Sequence, residues 1–231
     1  MNIIDIGVIT LLGLLSYKSG ALDFKGAIGA MFLGYLILSL GSWVTFFALL
    51  TFLIMGTLAT RFKAREKLEL GNLDTHRSLG NVLGNGLAPL LFLIIEVIIK
   101  NDYGWAAVFS SIATANADTL ASEIGKPLGK NPRLITNFRK AKPGEEGAVT
   151  LVGELAALLG ALVIGLIGTF SISDYKLKML LSVTIAGFIG ANIDSLIGAT
   201  LERRGLVDNN GTNFIATLIG GVLGAVMFLL M

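Results

Sequence analysis

The sequence is poor in charged residues and in side chains that bind soft metals. Only 15% of its 231 residues are charged, and it contains no cysteine and one histidine. Soluble domains are about 25% charged, so too few charges are present to cover a water-exposed surface. The lack of cysteine excludes disulfides and thiolate metal sites. Apolar residues make up 54% of the chain, the mean hydropathy is +0.77, and the composition indicates an integral membrane protein.

Eight apolar segments approach the length of about 20 residues that a membrane-spanning helix needs. They are 2–16, 24–40, 42–60, 79–100, 104–124, 147–170, 177–200 and 212–230. The first lacks the preceding basic residues and the cleavage site of a signal peptide, so we interpret it as a short helix of the mature chain. We predict an all-α polytopic membrane bundle of about eight transmembrane helices, with six as the lower bound, forming one transmembrane domain over 1–231.

Lysine and arginine are concentrated in four segments, each separated from the next by two predicted helices. These segments contain Lys18 with Lys25, the stretch 61–77, the stretch 126–142, and Arg203 with Arg204. An even number of helices between them allows all four to lie at one membrane face, which the positive-inside rule places in the cytoplasm. This predicts a multi-pass protein with a cytoplasmic polar face and both termini outside. Lys176 and Lys178, at the start of the seventh helix, are the exception, because they lie on the predicted outside face.

A six-residue pattern occurs twice. Residues 115–120 read A-N-A-D-T-L, and residues 191–196 read A-N-I-D-S-L. Each copy lies near the basic end of a predicted helix and follows a helix of opposite direction. This predicts a duplicated two-helix unit at about 79–126 and 147–204.

Each copy of the pattern places one aspartate, Asp118 or Asp194, within an apolar segment. A carboxylate there costs about 2.5–3.5 kcal/mol at a helix centre, which favours a functional site over helix capping or helix–helix hydrogen bonds. Hard oxygen ligands without His or Cys point to Mg²⁺. The candidate metal ligands are Asp118, Asp194, Glu123 and Glu154, and the first three are also the candidate catalytic residues. Because Asn116 and Asp118 lie on opposite helix faces, either both faces are buried or the helix unwinds there.

Further polar residues occur at the same predicted face. The stretch 76–86 opens the fourth helix with glycines, asparagines and Arg77, a pattern typical of anion sites or of a basic membrane anchor. The loop 126–146 is either a topology signal or a phosphate clamp. The candidate binding residues are His76, Arg77, Asn81, Asn85, Asn116, Thr119, Ser122, Lys126, Asn192, Ser195, Asn209, Asn210 and Asn213.

These motifs in combination resemble a known family. The segments H-R-S-L-G-N-V-L-G-N-G, N-A-D-T-L-A-S-E-I-G, I-D-S-L-I-G-A-T-L-E and N-N-G-T-N are similar to the integral membrane family of domain of unknown function 92, which includes transmembrane protein 19 and a phytyl-phosphate kinase. The resemblance covers most of the chain. The sequence departs from the family pattern at two points. It has Glu202 where a glutamine is expected, and it has no cysteine before Asn209.

The resemblance implies a kinase that converts a prenyl monophosphate, such as phytyl or geranylgeranyl phosphate, to the diphosphate with CTP or another nucleoside triphosphate. In that reaction, Asp118, Asp194 and Glu123 hold Mg²⁺ on the nucleotide, asparagines orient oxygens, and Arg77 with Lys126 and the basic residues after it neutralise charge. The expected partners are the bilayer and these two substrates, with no nucleic acid and an open oligomeric state. The alternatives are a transporter of a small or anionic solute, a CDP-alcohol-type phosphotransferase and a scaffolding protein.

Overall fold

The computed structural model describes residues 3–69 and 77–231 of the chain. Within these residues the chain forms nine α-helices and almost no strand. They are α1 (Ile3–Lys18), α2 (Phe24–Leu40), α3 (Trp43–Arg61), α4 (Ala64–Glu69), α5 (Leu79–Ile99), α6 (Asp102–Leu128), α7 (Leu151–Gly168), α8 (Lys176–Ile197) and α9 (Asn209–Leu230). The all-α prediction is confirmed, and a helix lies at each of the eight predicted positions.

Four short elements were not predicted. The helix α4 has only six residues. Strands β1 (Arg133–Leu134) and β2 (Ala148–Val149) pair antiparallel within the long loop between α6 and α7. A π-helical turn, Gly198–Glu202, continues α8 directly after the second copy of the repeated pattern. Such turns often occur at functional sites, and the sequence has no clear signal for this one.

In the part of the chain that the structure describes, five helices are long and apolar enough to cross a membrane: α3, α5, α7, α9 and α8 with its π-helical turn. Helix α2 is apolar but has 17 residues, and α1 has 16. Helix α6 has 27 residues, but alanine, serine, threonine and asparagine lower its hydropathy. Fifteen of its residues are buried, so neighbouring helices rather than lipid cover its polar groups. The chain is a polytopic helical membrane protein.

Helix α6 is the centre of the bundle and packs against α3, α5, α7, α8 and α9. Small residues make this possible, because they allow backbones to approach closely. A Cβ atom added at Gly190 of α8 or at Gly220 of α9 would lie 2.2 Å or 2.0 Å from the Thr114 hydroxyl of α6. These contacts fix the rotation of α6, and therefore the direction in which Asp118 faces.

The described residues of the four basic segments lie at one end of the bundle, which we call the basic end. Arg61 donates a hydrogen bond to the carbonyl of Ser19, and the Arg77 backbone pairs with the segment just after α1. Arg203 lies 3.4 Å from Glu145. This arrangement agrees with the even helix count between the segments. The cytoplasmic location of this end and the outside location of the termini stay predictions.

The close approach of α8 to α6 and α7 provides a stability test. A Cβ atom at Gly187 would lie 2.6 Å from the Cβ of Ala113 and 3.1 Å from that of Ala161, whereas one at Gly7 would meet nothing within 4 Å. We expect Gly187→Ala to destabilise the protein by about 1–3 kcal/mol through overpacking. Gly7→Ala, the matched control, should cause no loss. Thermal unfolding in one detergent measures both, and equal midpoints for the two variants would contradict this packing.

Candidate functional site

A polar cavity of about 570 Å³ opens at the basic end of the bundle. Its walls come from α3 to α9 and from the loop between α6 and α7. Fourteen predicted site residues line it: Arg77, Asn81, Asn85, Asp118, Thr119, Ser122, Glu123, Lys126, Glu154, Asn192, Asp194, Ser195, Asn209 and Asn213. The structure therefore brings residues from five separate predicted helix ends into one space.

The two copies of the repeated pattern meet in this cavity. The carboxyl groups of Asp118 on α6 and Asp194 on α8 are neighbours, and both side chains are half-buried. The Oδ2 atom of Asp194 is buried and accepts no hydrogen bond from the described residues. Buried carboxylate oxygens normally have partners. An unpaired oxygen beside a second carboxylate is therefore a place where a cation or a hydrogen-bond donor would bind.

The cavity has an excess of negative charge. Among the described residues, seven acidic and three basic ones line it. No group of three or more His, Cys, Asp or Glu side chains among the described residues is arranged to hold a metal ion by itself. The carboxylates would attract a cation, but a tightly bound metal needs further oxygen ligands from a substrate or from water.

Asparagine side chains fix the helix ends around the cavity. The Asn81 side chain accepts a hydrogen bond from the backbone N–H of Ser78 at 2.9 Å and donates to Asn210 at 3.3 Å, which joins α5 to α9. On the other side, Asn192 donates to the Glu154 carboxylate at 3.0 Å, which joins α8 to α7.

Lys67 is a cavity residue that the sequence analysis did not select. It lies on α4, is 4% exposed, and its ammonium group contacts the Glu123 carboxylate at 2.5 Å. It also donates to the backbone carbonyls of Ala59 and Thr60 at the end of α3. Its charged neighbours in the sequence resemble a solvent-exposed stretch, so only its position in the fold identifies it. Because Lys67 occupies one oxygen of Glu123, that carboxylate is less available as a metal ligand than predicted.

The loop between α6 and α7 contributes acidic residues and glycine to the cavity wall. Of the basic residues in the stretch 126–142, Lys126 at the end of α6 lines the cavity; the exposed ones that do not are Lys130, Arg133, Arg139, Lys140 and Lys142. Instead the returning part of the loop, with Glu145 and Glu146, forms the wall. Gly147 has φ +74°, and a Cβ there would lie 2.3 Å from Ala199. Glycine is required for this close approach to α8.

Arg77 lies at the edge of the cavity, just before α5. Its guanidinium packs 4.8 Å from the ring centroid of Phe52 and occupies the space that a side chain at Gly56 would fill. Burial lowers the pKa of Arg77, while the nearby carboxylates of Glu123 and Asp118 raise it. Since an arginine side chain stays charged in proteins, Arg77 is a fixed cation at this position.

Two of the predicted binding residues that the structure describes, Asn116 and Asn210, do not line the cavity. Asn116 is fully buried and donates to the Gly160 carbonyl at 2.9 Å, so it joins α6 to α7. Helix α6 continues through this region, so the correct alternative is burial of both faces, not unwinding. Asn210 packs on Gly80 and Gly84 of α5 instead. His76 lies outside the described residues.

The Lys67–Glu123 pair predicts that two lysines on neighbouring turns, Lys67 and Lys63, contribute differently to the stability of the protein. Removing one partner of a buried pair leaves an uncompensated charge and costs about 3–5 kcal/mol. We expect Lys67→Met to lower the stability strongly. Lys63→Met, which removes an exposed pair with Glu66, should cost less than about 1 kcal/mol. Thermal unfolding in detergent compares them, and similar losses would show that Lys67 is not the buried anchor of α4.

Comparisons with known proteins place this architecture in a family. The profile of the family described as Integral membrane protein DUF92 matches residues 7–221. An uncharacterized membrane protein of Methanocaldococcus jannaschii is 39% identical over 97% of this chain and 93% of its own length. Protein VTE6 of Arabidopsis thaliana, described as chloroplastic, is 27% identical over 89% of this chain and 65% of its own.

A more distant similarity links the chain to a transporter. The Na(+)/H(+) antiporter NhaA of Shewanella baltica is 26% identical over 70% of this chain and 44% of its own length. No solved structure matches the chain significantly. The family profile covers nearly the whole bundle, including both copies of the repeated pattern. The chain therefore belongs to the integral membrane protein family DUF92.

Proposed function

We propose that the protein is a nucleotide-dependent prenyl-phosphate kinase, with CTP as the favoured donor. It converts a polyisoprenyl monophosphate, such as phytyl or geranylgeranyl phosphate, to the diphosphate at the cytoplasmic membrane face. The observation that carries the proposal is the neighbouring pair Asp118 and Asp194 in a polar cavity at the end of a lipid-embedded bundle. The resemblance to a family that includes a phytyl-phosphate kinase supplies the reaction class.

The reaction needs alignment and charge more than covalent chemistry. An oxygen of the prenyl monophosphate attacks the γ-phosphorus of the nucleotide, the bond from that phosphorus to the β–γ bridging oxygen breaks, and the nucleoside diphosphate leaves. The acceptor phosphate is already ionised near neutral pH. No general base is therefore required.

The donor set of the cavity fits Mg²⁺ that arrives with a nucleotide. The unpaired Oδ2 of Asp194 and the adjacent Asp118 carboxyl would hold the ion. Mg²⁺ in such sites usually takes one or two carboxylates together with substrate phosphates. The ion would neutralise the phosphate charge during transfer. Glu123 and Glu154 play supporting roles in this proposal, because one oxygen of each is bonded to Lys67 or Asn192.

Basic and polar residues around the pair would hold the phosphates. Arg77 and Lys126 lie on the cavity wall and carry the positive charge that the transferred group needs. Asn85, Asn192 and Asn213 provide neutral amide groups nearby. Polar contacts of this kind orient substrates and account for much of the rate enhancement in phosphoryl transfer.

A cation antiporter is the second candidate, and one observation favours it. The cavity has more acidic than basic lining residues, and paired carboxylates in a bundle are also typical of proton and sodium pathways. The similarity to the antiporter of Shewanella baltica covers 70% of the chain. Na⁺-driven proton movement in proteoliposomes without nucleotide consumption would favour this function over the kinase.

We expect Asp118→Asn and Asp194→Asn each to lower the rate of prenyl diphosphate formation by about 100-fold or more, because each removes charge from the proposed metal site. The exposed Asp174, in the loop before α8, provides the matched control Asp174→Asn, which should keep full activity. The assay uses purified protein in detergent with CTP, Mg²⁺ and geranylgeranyl phosphate. Full activity of either cavity variant would remove that aspartate from the proposed mechanism.

A further inference from the structure

A second pocket, smaller and apolar, lies beside the polar cavity. It has a volume of about 110 Å³ and is lined by residues of α1, α2, α3 and α5. Its walls include Ile9, Met31, Phe46, Leu50 and Leu53. We call it the apolar slot.

The apolar slot and the polar cavity share three wall residues, Arg77, Asn81 and Asn85. Arg77 stacks on Phe52, which itself lines the slot. A cation and two amides therefore stand at the junction between a hydrocarbon-lined space and a charged space. A molecule with an anionic head and an apolar chain matches this junction, with its head beside Arg77.

The dimensions of the slot limit what it holds. On α3 its wall runs from Phe46 through Leu50 to Leu53, and on α1 from Ile9 to Ser16. Each stretch rises about 10 Å along its helix at 1.5 Å per residue. A dry engineered cavity of about 150 Å³ takes a benzene molecule. The slot therefore has room for a branched hydrocarbon of about five carbon atoms rather than for a long chain.

We propose that the apolar slot binds the isoprene unit next to the phosphate of a prenyl-phosphate substrate, with the phosphate at Arg77 and the rest of the chain in the bilayer. This assignment rests on the proposed function, since it places the acceptor substrate of that reaction. It makes Leu53, Leu50 and Phe46 the residues that recognise the branched unit. The nucleotide approaches from the polar cavity on the other side of Arg77.

Filling the slot tests the assignment. Leu53→Trp puts a larger side chain into it, and Leu58→Trp makes the same change on α3 at a residue that is 62% exposed and lines neither pocket. We expect Leu53→Trp to raise the KM for geranyl phosphate at least about tenfold and to leave the KM for CTP within about twofold. Leu58→Trp should leave both unchanged. Equal KM values for geranyl phosphate in the two variants would overturn the assignment.

Photolabelling of the unaltered protein tests the same site without relying on a variant or on turnover. The probe is geranyl phosphate with a diazirine on its first isoprene unit, used in detergent without nucleotide. We expect labels on slot-lining residues of α1, α2, α3 or α5, and protection by unmodified geranyl phosphate but not by phosphatidic acid. Labelling elsewhere, or equal protection by phosphatidic acid, overturns the assignment.

The two experiments also separate this inference from the kinase proposal. Slot labelling without phosphoryl transfer from any nucleotide contradicts the kinase and supports a prenyl-phosphate site. Phosphoryl transfer with labelling outside the slot supports the kinase and overturns the slot assignment.

Discussion

The burial of two neighbouring carboxylates, Asp118 and Asp194, is the constraint on which the arrangement of the bundle depends. Like charges at short distance repel strongly in a low-dielectric environment, and each carboxylate within a membrane helix is costly by itself. Helices α6 and α8 nevertheless bring the two side chains together, held by contacts such as Thr114 on Gly190. Polar residues from α5, α7 and α9 surround the pair. Because this arrangement is costly, we infer that a ligand bound in the cavity offsets the repulsion between the two carboxylates.

The bundle provides a charged space and an apolar space side by side, as the two ends of the proposed prenyl-phosphate substrate require. The polar cavity is lined by charged and amide side chains, while the apolar slot is lined by leucine, isoleucine, phenylalanine and methionine. Arg77 separates them, and its stacking on Phe52 keeps the charge at a fixed place. Because Arg77 precedes α5 and is held by the backbone after α1, its position depends on packing between α1, α2, α3 and α5.

Much of the site follows from sequence patterns, and the remainder from contacts that no local pattern encodes. Asp118 and Asp194 were predictable, because an acidic residue repeated in an apolar segment is costly and therefore informative. Lys67 was not, since a lysine between charged residues has the same local pattern whether it is exposed or paired with Glu123. Asn116 lies away from the cavity, in a part of α6 that is buried on all sides, where a polar residue can serve packing as well as function. The apolar slot has no sequence signal, since its walls use the same apolar residues that face lipid.

Binding of Mn²⁺, which shares the preference of Mg²⁺ for oxygen ligands, tests whether Asp118 and Asp194 hold a metal ion together with a nucleotide. The cavity offers two adjacent aspartates but no group of three metal-binding side chains among the described residues, so the ion needs phosphate oxygens as further ligands. Electron paramagnetic resonance of purified protein in detergent should show tight Mn²⁺ binding only when CTP is present. A folded Asp118→Asn, Asp194→Asn double variant should lose that binding. Equal Mn²⁺ binding without nucleotide, or unchanged Mn²⁺–CTP binding in the double variant, would contradict the account.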